Sequence, residues 1–340
     1  MGVTLTKIVE KMELRNLTPD VDMTQREVKI PDINRPALQL AGFFDHFDKD
    51  RVQIIGYVEQ EYIRQMAEEF GLENDVKAGF FKQLCEIAGK ENVRTDEPMK
   101  QHTTFRIGGA ADYFVSPQTT DQIKNIIELC KSEAMPWYVI GNGSNLLVSD
   151  RGFRGVIIQL FKNFSDLRVE GDRLYVQAGT LLSRTAKKAL EASLTGFEFA
   201  AGIPGTIGGA MVMNAGAYGG EMKDVTEEVT VLTEEGEVKT LKREELKMGY
   251  RTSIIAEKGY LVLEAVLQLT DGDLKEIRAV MEDLKKKRIS KQPLEYPSAG
   301  STFKRPKGYF AGKLIMDAGL RGFQVGGAQV SEKHCGFVIN

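Results

Sequence analysis

Apolar residues recur at helical spacing in several segments, and this pattern predicts amphipathic helices. The segments are residues 4–15, 119–134, 180–193 and 272–290, and residues 64–90 add charged helical segments with a break at 71–75. Thr119 stands where a hydroxyl caps a first helical turn. The predicted helices are therefore spread along the chain and not gathered at one end.

Short apolar runs between these helices predict strands. They are residues 137–140, 155–160, 173–179 and 260–269, and strand-like runs also flank Gly108 and Gly109 within 102–117. A hairpin is predicted over 229–241, with Glu235 and Gly236 at its turn. After residue 290 the pattern predicts loop and strand, a helix, and two strands, which together form a small α+β unit.

A glycine-rich stretch interrupts this pattern at residues 202–221, which contain seven glycines and no charged residue before Glu221. Glycine lacks a Cβ atom, so its backbone adopts positive φ or presses against a flat ring at low steric cost. Its amides are then free to face phosphate or carbonyl oxygens. These properties predict a ligand-binding loop. Pro204 and the glycines argue against the alternative, a membrane-spanning helix.

A second uncharged glycine loop, GNGSNLLVSD, follows the predicted strand at 137–140. A strand leading into glycines and short polar residues is typical of a phosphate cradle. Gly141 and Gly143 begin a GxG, but Leu146 replaces the last glycine of the dinucleotide-binding fingerprint. Two such loops in one domain predict a grip on opposite ends of a large planar cofactor.

Composition narrows the classes of partner. The net charge of −3 gives no general attraction for nucleic acid, and the basic run 285–288 is interpreted as the solvated end of a helix. Three separated cysteines indicate a reducing compartment, and the absence of a signal peptide adds to a cytoplasmic expectation. His102 and His334 have no partner at the spacing of metal ligands, so we predict no metal site. We also predict no binding to nucleic acid and none to membranes.

The segment at residues 28–63 resembles the N-terminal domain of bacterial HPr kinase/phosphorylase. An Asn-Arg-Pro turn, a Leu-x-Leu-Ala-Gly segment and an Arg-Val-Gln-Ile-Ile-Gly strand occur there in that order. Kinases of this family use a later GxxxxGK[ST] phosphate loop, whereas the nearest string here is GYFAGKL at 308–314. Kinase activity is therefore not expected.

Six motifs from His102 onward follow an order typical of one enzyme family. They are HTTFRIGGAADYF, IGNGSNLLVSD, AGIPGTIGGAMVMNAGAYGGE, MGYRTS, SAGSTFKRP and GGAQVSEKHCGFVIN. They resemble the UDP-N-acetylenolpyruvoylglucosamine reductases, flavoenzymes of peptidoglycan precursor synthesis, over about residues 70–340.

The resemblance implies an α+β fold, with an FAD-binding module of the vanillyl-alcohol-oxidase type in two lobes. The implied domains are a small α/β domain at 1–66, a junction with a leading helix at 67–91, an FAD-binding domain at 92–270 and a substrate-binding domain at 271–340.

The resemblance also implies FAD and NADPH as cofactors and a UDP-sugar as substrate. NADPH would reduce the flavin, which passes a hydride to the enolpyruvyl ether and yields UDP-N-acetylmuramate. The expected FAD contacts are Gly141, Asn142, Gly143, Ser144, Asn145 and Leu146, then Gly202, Ile203, Gly205, Thr206, Gly208 and Gly209, with Arg106 in addition.

Hydride addition places carbanion character beside the substrate carboxylate, so catalysis needs a cation there and a proton for the α-carbon. By resemblance, Arg251 serves the carboxylate and Ser301 donates the proton. Three further cations, Lys304, Arg305 and Lys333, are expected at the UDP diphosphate, with ordinary surface charge as the alternative. Tyr250 is expected to flank the carboxylate or to lie in the core.

The resemblance departs from the family at Asn340. In the family a further helix and a Glu-Pro-Glu-Val-Arg segment follow, and its second Glu acts with the arginine and the serine; the sequence has no residue after Asn340. The alternative function is therefore a flavin-binding scaffold or sensor with impaired catalysis.

Overall fold

The computed structural model describes residues 15–16, 54–55 and 73–340. Strands β1 (Arg15–Asn16) and β2 (Ile54–Ile55) pair antiparallel. The helix predicted over 4–15 otherwise lies outside the described residues, and at Arg15 it is wrong, because that residue is in β1. Helix α1 (Glu73–Ala88) begins inside the break that the sequence predicted at 71–75.

The chain divides into two compact units, residues 1–93 with 125–136, and residues 94–124 with 137–340. The second unit contains the candidate site. A four-stranded sheet has the order β3-β4-β6-β5. Its strands are β3 (Val93–Pro98), β4 (Ala110–Val115), β5 (Trp137–Ile140) and β6 (Phe153–Gln159), and helix α2 (Thr120–Ser132) follows β4.

Strands β4, β5 and β6 are parallel, so their carboxyl ends lie along one edge of this sheet. A buried cluster of Met99, Ala111, Phe114, Ile140 and Ile157 fills the space beside them. The prediction of a strand before Gly108 is wrong. Residues 102–105 form bends and a turn instead, and Arg106, which lies in no strand, has a left-handed φ of 57°.

A five-stranded antiparallel sheet with the order β13-β12-β14-β8-β7 forms the other half of this unit. Its strands are β7 (Leu167–Glu170), β8 (Arg173–Gln177), β12 (Thr226–Leu232), β13 (Val238–Lys242) and β14 (Leu261–Gln268). Between β8 and β12 lie α3 (Leu182–Glu191), β9 (Leu194–Thr195), α4 (Ile207–Met213), β10 (Gly216–Ala217), β11 (Gly220–Glu221) and α5 (Met222–Val225). The predicted hairpin is confirmed, and Gly236 in its turn has a φ of 83°.

The glycine-rich stretch is not a loop throughout, because it contains helix α4. Ile207, Ala210 and Met211 are buried, and the helix packs against β14. This burial outweighs the poor helix propensity of Gly208 and Gly209, which is about 1 kcal/mol per glycine. The prediction of a continuous loop over 202–221 is therefore wrong for residues 207–213.

The chain then passes through α6 (Ile254–Glu257) and β15 (Thr270–Asp271) to the long helix α7 (Leu274–Lys291), which Asp273 caps. Helix α8 (Ala311–Asp317) and the short strands β16 (Gln324–Val325), β17 (Ala328–Val330) and β18 (Val338–Ile339) follow. None of the helices in the described part of the chain is both long and apolar enough to span a membrane.

Candidate functional site

The two glycine loops touch each other. Residues 141–147 follow β5, and residues 202–206 lead into α4. The Nδ2 of Asn142 donates a hydrogen bond of 2.8 Å to the carbonyl of Pro204. A Cβ atom added to Gly141 would lie 2.2 Å from the Oγ1 of Thr206, so the approach at this point requires glycine. The structure thus brings together the two loops on which the cofactor prediction depends.

The first loop presents free backbone donors. Among the described residues, the N–H groups of Asn142, Gly143, Ser144 and Asn145 donate no hydrogen bond. Amides without an acceptor suit an anionic group such as a pyrophosphate. Gly143 has a φ of 61°, and a Cβ atom there would lie 2.0 Å from the carbonyl oxygen of His102. Glycine at this position therefore allows the loop to approach the His102 backbone.

Leu146 and Arg106 lie beside the first loop in different ways. The side chain of Leu146 packs against the buried cluster around Phe114, so only its backbone is free for a ligand. Arg106 is exposed at the end of a turn in which the N–H of Thr104 donates to the carbonyl of Gly143 at 3.2 Å. The turn with Arg106 and the first loop are therefore joined by a backbone hydrogen bond.

The second loop is held by backbone hydrogen bonds at its carboxyl end and has exposed glycines. The N–H groups of Ile207 and Gly208 donate to the carbonyls of Thr180 and Ala178 at 2.9 and 2.8 Å. Thr206 is buried, whereas Gly202 and Gly209 are exposed. Exposed glycines on an anchored backbone leave space for a flat ring, which fits the predicted FAD group.

The other predicted contacts of this loop have mixed surroundings. Ile203 is half-buried, and its N–H donates to the carbonyl of Ala200 at 3.0 Å. A Cβ atom on Gly205 would lie 3.6 Å from the Oγ of Ser144, which is a third point of approach between the two loops.

His102 supports the first loop from within the protein. Its Nε2 lies 2.7 Å from the Oε1 of Glu97, and its ring stacks on Phe114 with 4.0 Å between centroids. Burial raises the pKa of the Glu97 carboxyl, but hydrogen bonds from His102 and Arg94 together bring that pKa below its ordinary value. His102 is thus held in place by a hydrogen-bond partner and a stacked ring.

Tyr250 and Arg251 occupy the tip of a tight turn. Gly249 and Thr252 form an antiparallel bridge, with the Gly249 N–H donating to the Thr252 carbonyl at 3.0 Å. Arg251 has a left-handed φ of 56°, a conformation that is unfavourable for a side chain with a Cβ atom and often marks functional sites. Its Nη2 lies 3.4 Å from the carbonyl of Gly216 in the glycine-rich stretch.

Asn214 connects this turn to the glycine-rich stretch, a role that the sequence reasoning missed. Its left-handed backbone ends α4, and its Nδ2 donates to Glu221 and to the Gly249 carbonyl, both at 3.0 Å. Its Oδ1 accepts from the Lys223 N–H at 3.0 Å. The available signal was an asparagine alone among glycines and apolar residues, since asparagine adopts the left-handed conformation more readily than most residues.

Ser301 lies in an exposed strand-like segment. It forms an isolated antiparallel bridge with Phe337, and the Thr302 N–H donates to the Gly336 carbonyl at 2.9 Å. The Tyr250 hydroxyl accepts a hydrogen bond of 3.2 Å from the Arg305 N–H. The segment with Ser301 is thus joined to the turn with Arg251.

The three predicted diphosphate cations have separate surroundings. The Arg305 guanidinium stacks over Phe310 at 3.9 Å, and Lys333 Nζ lies 3.5 Å from Glu295. Lys304 is exposed and has no hydrogen-bond or ion-pair partner among the described residues. In the described part of the chain no hydrogen bond or ion pair joins these three side chains, so their shared role stays a prediction.

Family models match separate parts of the chain. An FAD binding domain matches residues 111–242, and a UDP-N-acetylenolpyruvoylglucosamine reductase C-terminal domain matches residues 292–340. An HPr serine kinase N terminus matches residues 3–86. The match over 111–242 includes both glycine loops, and the one over 292–340 includes Ser301.

Two sequence relatives share more than half of their aligned residues with this chain, and one solved structure shares fewer. A UDP-N-acetylenolpyruvoylglucosamine reductase from Alkaliphilus metalliredigens is 54% identical over 264 residues, which are 78% of this chain and 87% of the relative. The reductase from Agathobacter rectalis is 56% identical over 273 residues, covering 77% and 87%. A crystal structure of the Thermus caldophilus reductase is 38% identical with a TM-score of 0.64, covering 72% of this chain and 86% of that one.

Proposed function

Because the chain belongs to the UDP-N-acetylenolpyruvoylglucosamine reductase family, we propose that it reduces UDP-N-acetylglucosamine enolpyruvate to UDP-N-acetylmuramate, with FAD as cofactor and NADPH as reductant. The proposed setting is peptidoglycan precursor synthesis in the cytoplasm. The observation that carries the proposal is the hydrogen bond from the Arg305 N–H to the Tyr250 hydroxyl, because it joins the segments of the two predicted catalytic residues.

We assign FAD to the joined glycine loops. The free amides of Asn142, Gly143, Ser144 and Asn145 would hold its pyrophosphate, and the exposed glycines of 202–209 would face its ring. When bound, this flavin supplies the hydride that adds to the β-carbon of the enolpyruvyl ether.

Arg251 is proposed to hold the substrate carboxylate. Hydride addition leaves negative charge on the α-carbon and carboxylate, and a guanidinium stabilises that charge because it stays protonated and binds carboxylates in a bidentate manner. The left-handed backbone at Arg251 and the tight turn at 249–252 fix the direction of the Cα–Cβ bond of Arg251.

Ser301 is proposed to give its hydroxyl proton to the α-carbon, which completes the reduced ether. A serine is a reasonable acid only against a strong transient base, and the carbanion character at that carbon meets this need. The Tyr250 hydroxyl accepts from Arg305, so its own proton is left to donate to the substrate carboxylate. Lys304, Arg305 and Lys333 are proposed to contact the diphosphate.

The test is Ser301→Ala in the full chain, measured as NADPH consumption with the enolpyruvyl substrate. Turnover should fall by about 10²- to 10⁴-fold, the range typical of a positioned acid. The flavin absorption should stay unchanged, because no FAD contact is removed. Loss of bound flavin would assign Ser301 to cofactor binding and contradict its role as the acid, and purified wild-type protein that takes up no FAD would overturn the whole proposal.

A second candidate function is a flavin-binding protein with impaired catalysis. The observation in its favour is the exposure of the Ser301 segment, where Phe303, Tyr309 and Phe310 are 54%, 61% and 62% exposed. Catalysis of this kind benefits from exclusion of water. The two candidates separate in one assay, since bound flavin without turnover of the enolpyruvyl substrate would favour the second.

A further inference from the structure

Helix α7 presents a cation to the second glycine loop. A Cβ atom on Gly202 would lie 3.1 Å from the Cδ of Arg288 and 3.3 Å from its Nη1, so the arginine side chain lies directly against the loop. The same helix packs on the turn at Glu198–Ala200, immediately before the loop. The sequence had grouped Arg288 with a solvated basic run, and for this residue that interpretation is wrong.

Arg288 differs from its neighbours in the run. Lys285, Lys286 and Lys287 are exposed, whereas Arg288 is half-buried. Its guanidinium has no hydrogen bond and no carboxylate partner among the described residues, and burial lowers its pKa. A desolvated cation without a counter-charge is unfavourable in the free protein, and an anionic or carbonyl group from a ligand would compensate it.

One helical turn further on, Gln292 has a buried acceptor without a donor. Its Oε1 is the single buried side-chain nitrogen or oxygen without a hydrogen-bond partner in the described part of the chain. Gln292 follows the last residue of α7, and its N–H donates to the Arg288 carbonyl at 2.9 Å, so the two residues are one turn apart at the end of the helix. A donor group and an acceptor, each without a partner among the described residues, therefore occur one turn apart at the end of α7 whose Arg288 lies against Gly202.

This pair matches the polar edge of an isoalloxazine ring. That edge carries carbonyl acceptors on either side of an N–H donor, and negative charge gathers at its N1–C2 carbonyl region when the ring is reduced. We propose that Arg288 and Gln292 are positioning residues for this edge, with the guanidinium donating to the N1–C2 carbonyl region and the Gln292 oxygen accepting from N3–H. The inference rests on the proposed binding of FAD.

A cation at this place has a functional consequence. It binds the reduced ring more tightly than the oxidised ring, so it raises the reduction potential of the bound flavin. Arg288 would thereby favour transfer of electrons from NADPH to the flavin without touching the enolpyruvyl substrate.

The experiment compares Arg288→Met, Arg288→Lys and Gln292→Leu in the full chain, with Arg278→Met as the matched control. Arg278 is an exposed arginine on the same helix. FAD affinity is measured by titration of apoprotein, and the flavin potential by spectroelectrochemistry. Charged hydrogen bonds typically change an equilibrium by about 10- to 100-fold, and each tenfold change in the preference for reduced flavin is about 30 mV.

Arg288→Met should weaken FAD binding and lower the reduction potential of the flavin by about 30 to 60 mV, which corresponds to a 10- to 100-fold change. Arg288→Lys should recover most of the wild-type potential. Gln292→Leu should weaken FAD binding about tenfold and shift the visible flavin bands. Arg278→Met should change neither quantity. If Arg288→Met keeps the wild-type potential and FAD affinity but raises KM for the enolpyruvyl substrate, Arg288 serves the substrate and the inference is overturned. Wild-type protein that binds no FAD would instead remove the proposed function itself.

Discussion

In helix α4, Ile207, Ala210 and Met211 are buried against the five-stranded sheet, and the loop before it is held by backbone hydrogen bonds. Residues 294–325 contrast with this, because large apolar side chains there are 40% or more exposed; they are Leu294, Tyr296, Phe303, Tyr309, Phe310, Leu314, Leu320, Phe323 and Val325. The first region is held by packing, whereas the second has few buried side chains. We infer that the fold fixes the region proposed to bind FAD more firmly than the region proposed to bind the substrate.

The largest effect on this contrast is expected from Met211→Ala. Met211 is fully buried, and removing a buried side chain of this size typically lowers the free energy of unfolding by about 2–5 kcal/mol. The matched change, Phe310→Ala, removes a larger but exposed side chain and should change stability by less than about 1 kcal/mol. Urea unfolding of both variants measures the difference, and equal losses would mean that the two regions are equally packed.

Asn214→Ala should have an intermediate effect. Asn214 ends α4 and bonds to the turn at 249–252, where Tyr250 accepts a hydrogen bond from Arg305 of the second region. The substitution removes the bonds to Glu221 and to the Gly249 carbonyl, so the Arg251 turn keeps only the bond from the adjacent Ser253 hydroxyl to the Val212 carbonyl as its hydrogen bond to α4. We expect about 1–3 kcal/mol less stability and a higher KM for the enolpyruvyl substrate, with FAD affinity unchanged. Asn214→Gly keeps the left-handed backbone and is the control for conformation. A loss of FAD affinity with unchanged KM would contradict the assignment of Asn214 to the turn.

The smallest effect concerns Glu97, which supports the first glycine loop through His102. Its pKa is below the ordinary value in the folded protein, so its ionised form adds stability above the unfolded pKa of about 4. That stability is lost as the pH falls through the folded pKa. Acid unfolding of wild type should therefore be steeper below about pH 4 than that of Glu97→Gln. Parallel acid profiles would show that the His102 contact contributes nothing.

The sequence predicted local elements better than long-range packing. Strand β5 and the hairpin of β12 and β13 occur where apolar runs and a glycine turn placed them, because both depend on neighbouring residues. Helix α4 was missed because its stability comes from burial against β14, which is more than 40 residues away in the chain. Arg288 was misread for the same reason, since its burial depends on a loop that no local pattern connects to it.

Of the predicted site, the meeting of the two glycine loops is in the structure, and so is the link between Tyr250 and the Ser301 segment. The motifs marked these segments but not the asparagine that connects them. Asn214 acts through three hydrogen bonds to residues both near and distant in sequence. Such a network has no periodic signature along the chain, so only the folded backbone reveals it.

The hydrogen bond between Asn142 and Pro204 has a kinetic consequence for cofactor loading. It closes the two loops on each other within the protein itself, so the entropy of ordering them is lost during folding and not during FAD capture. Uptake of FAD by the apoprotein is then expected to be a single bimolecular phase whose rate rises linearly with FAD concentration. Asn142→Ala should introduce a slower, concentration-independent phase in stopped-flow fluorescence, as the loops would close only after the first encounter.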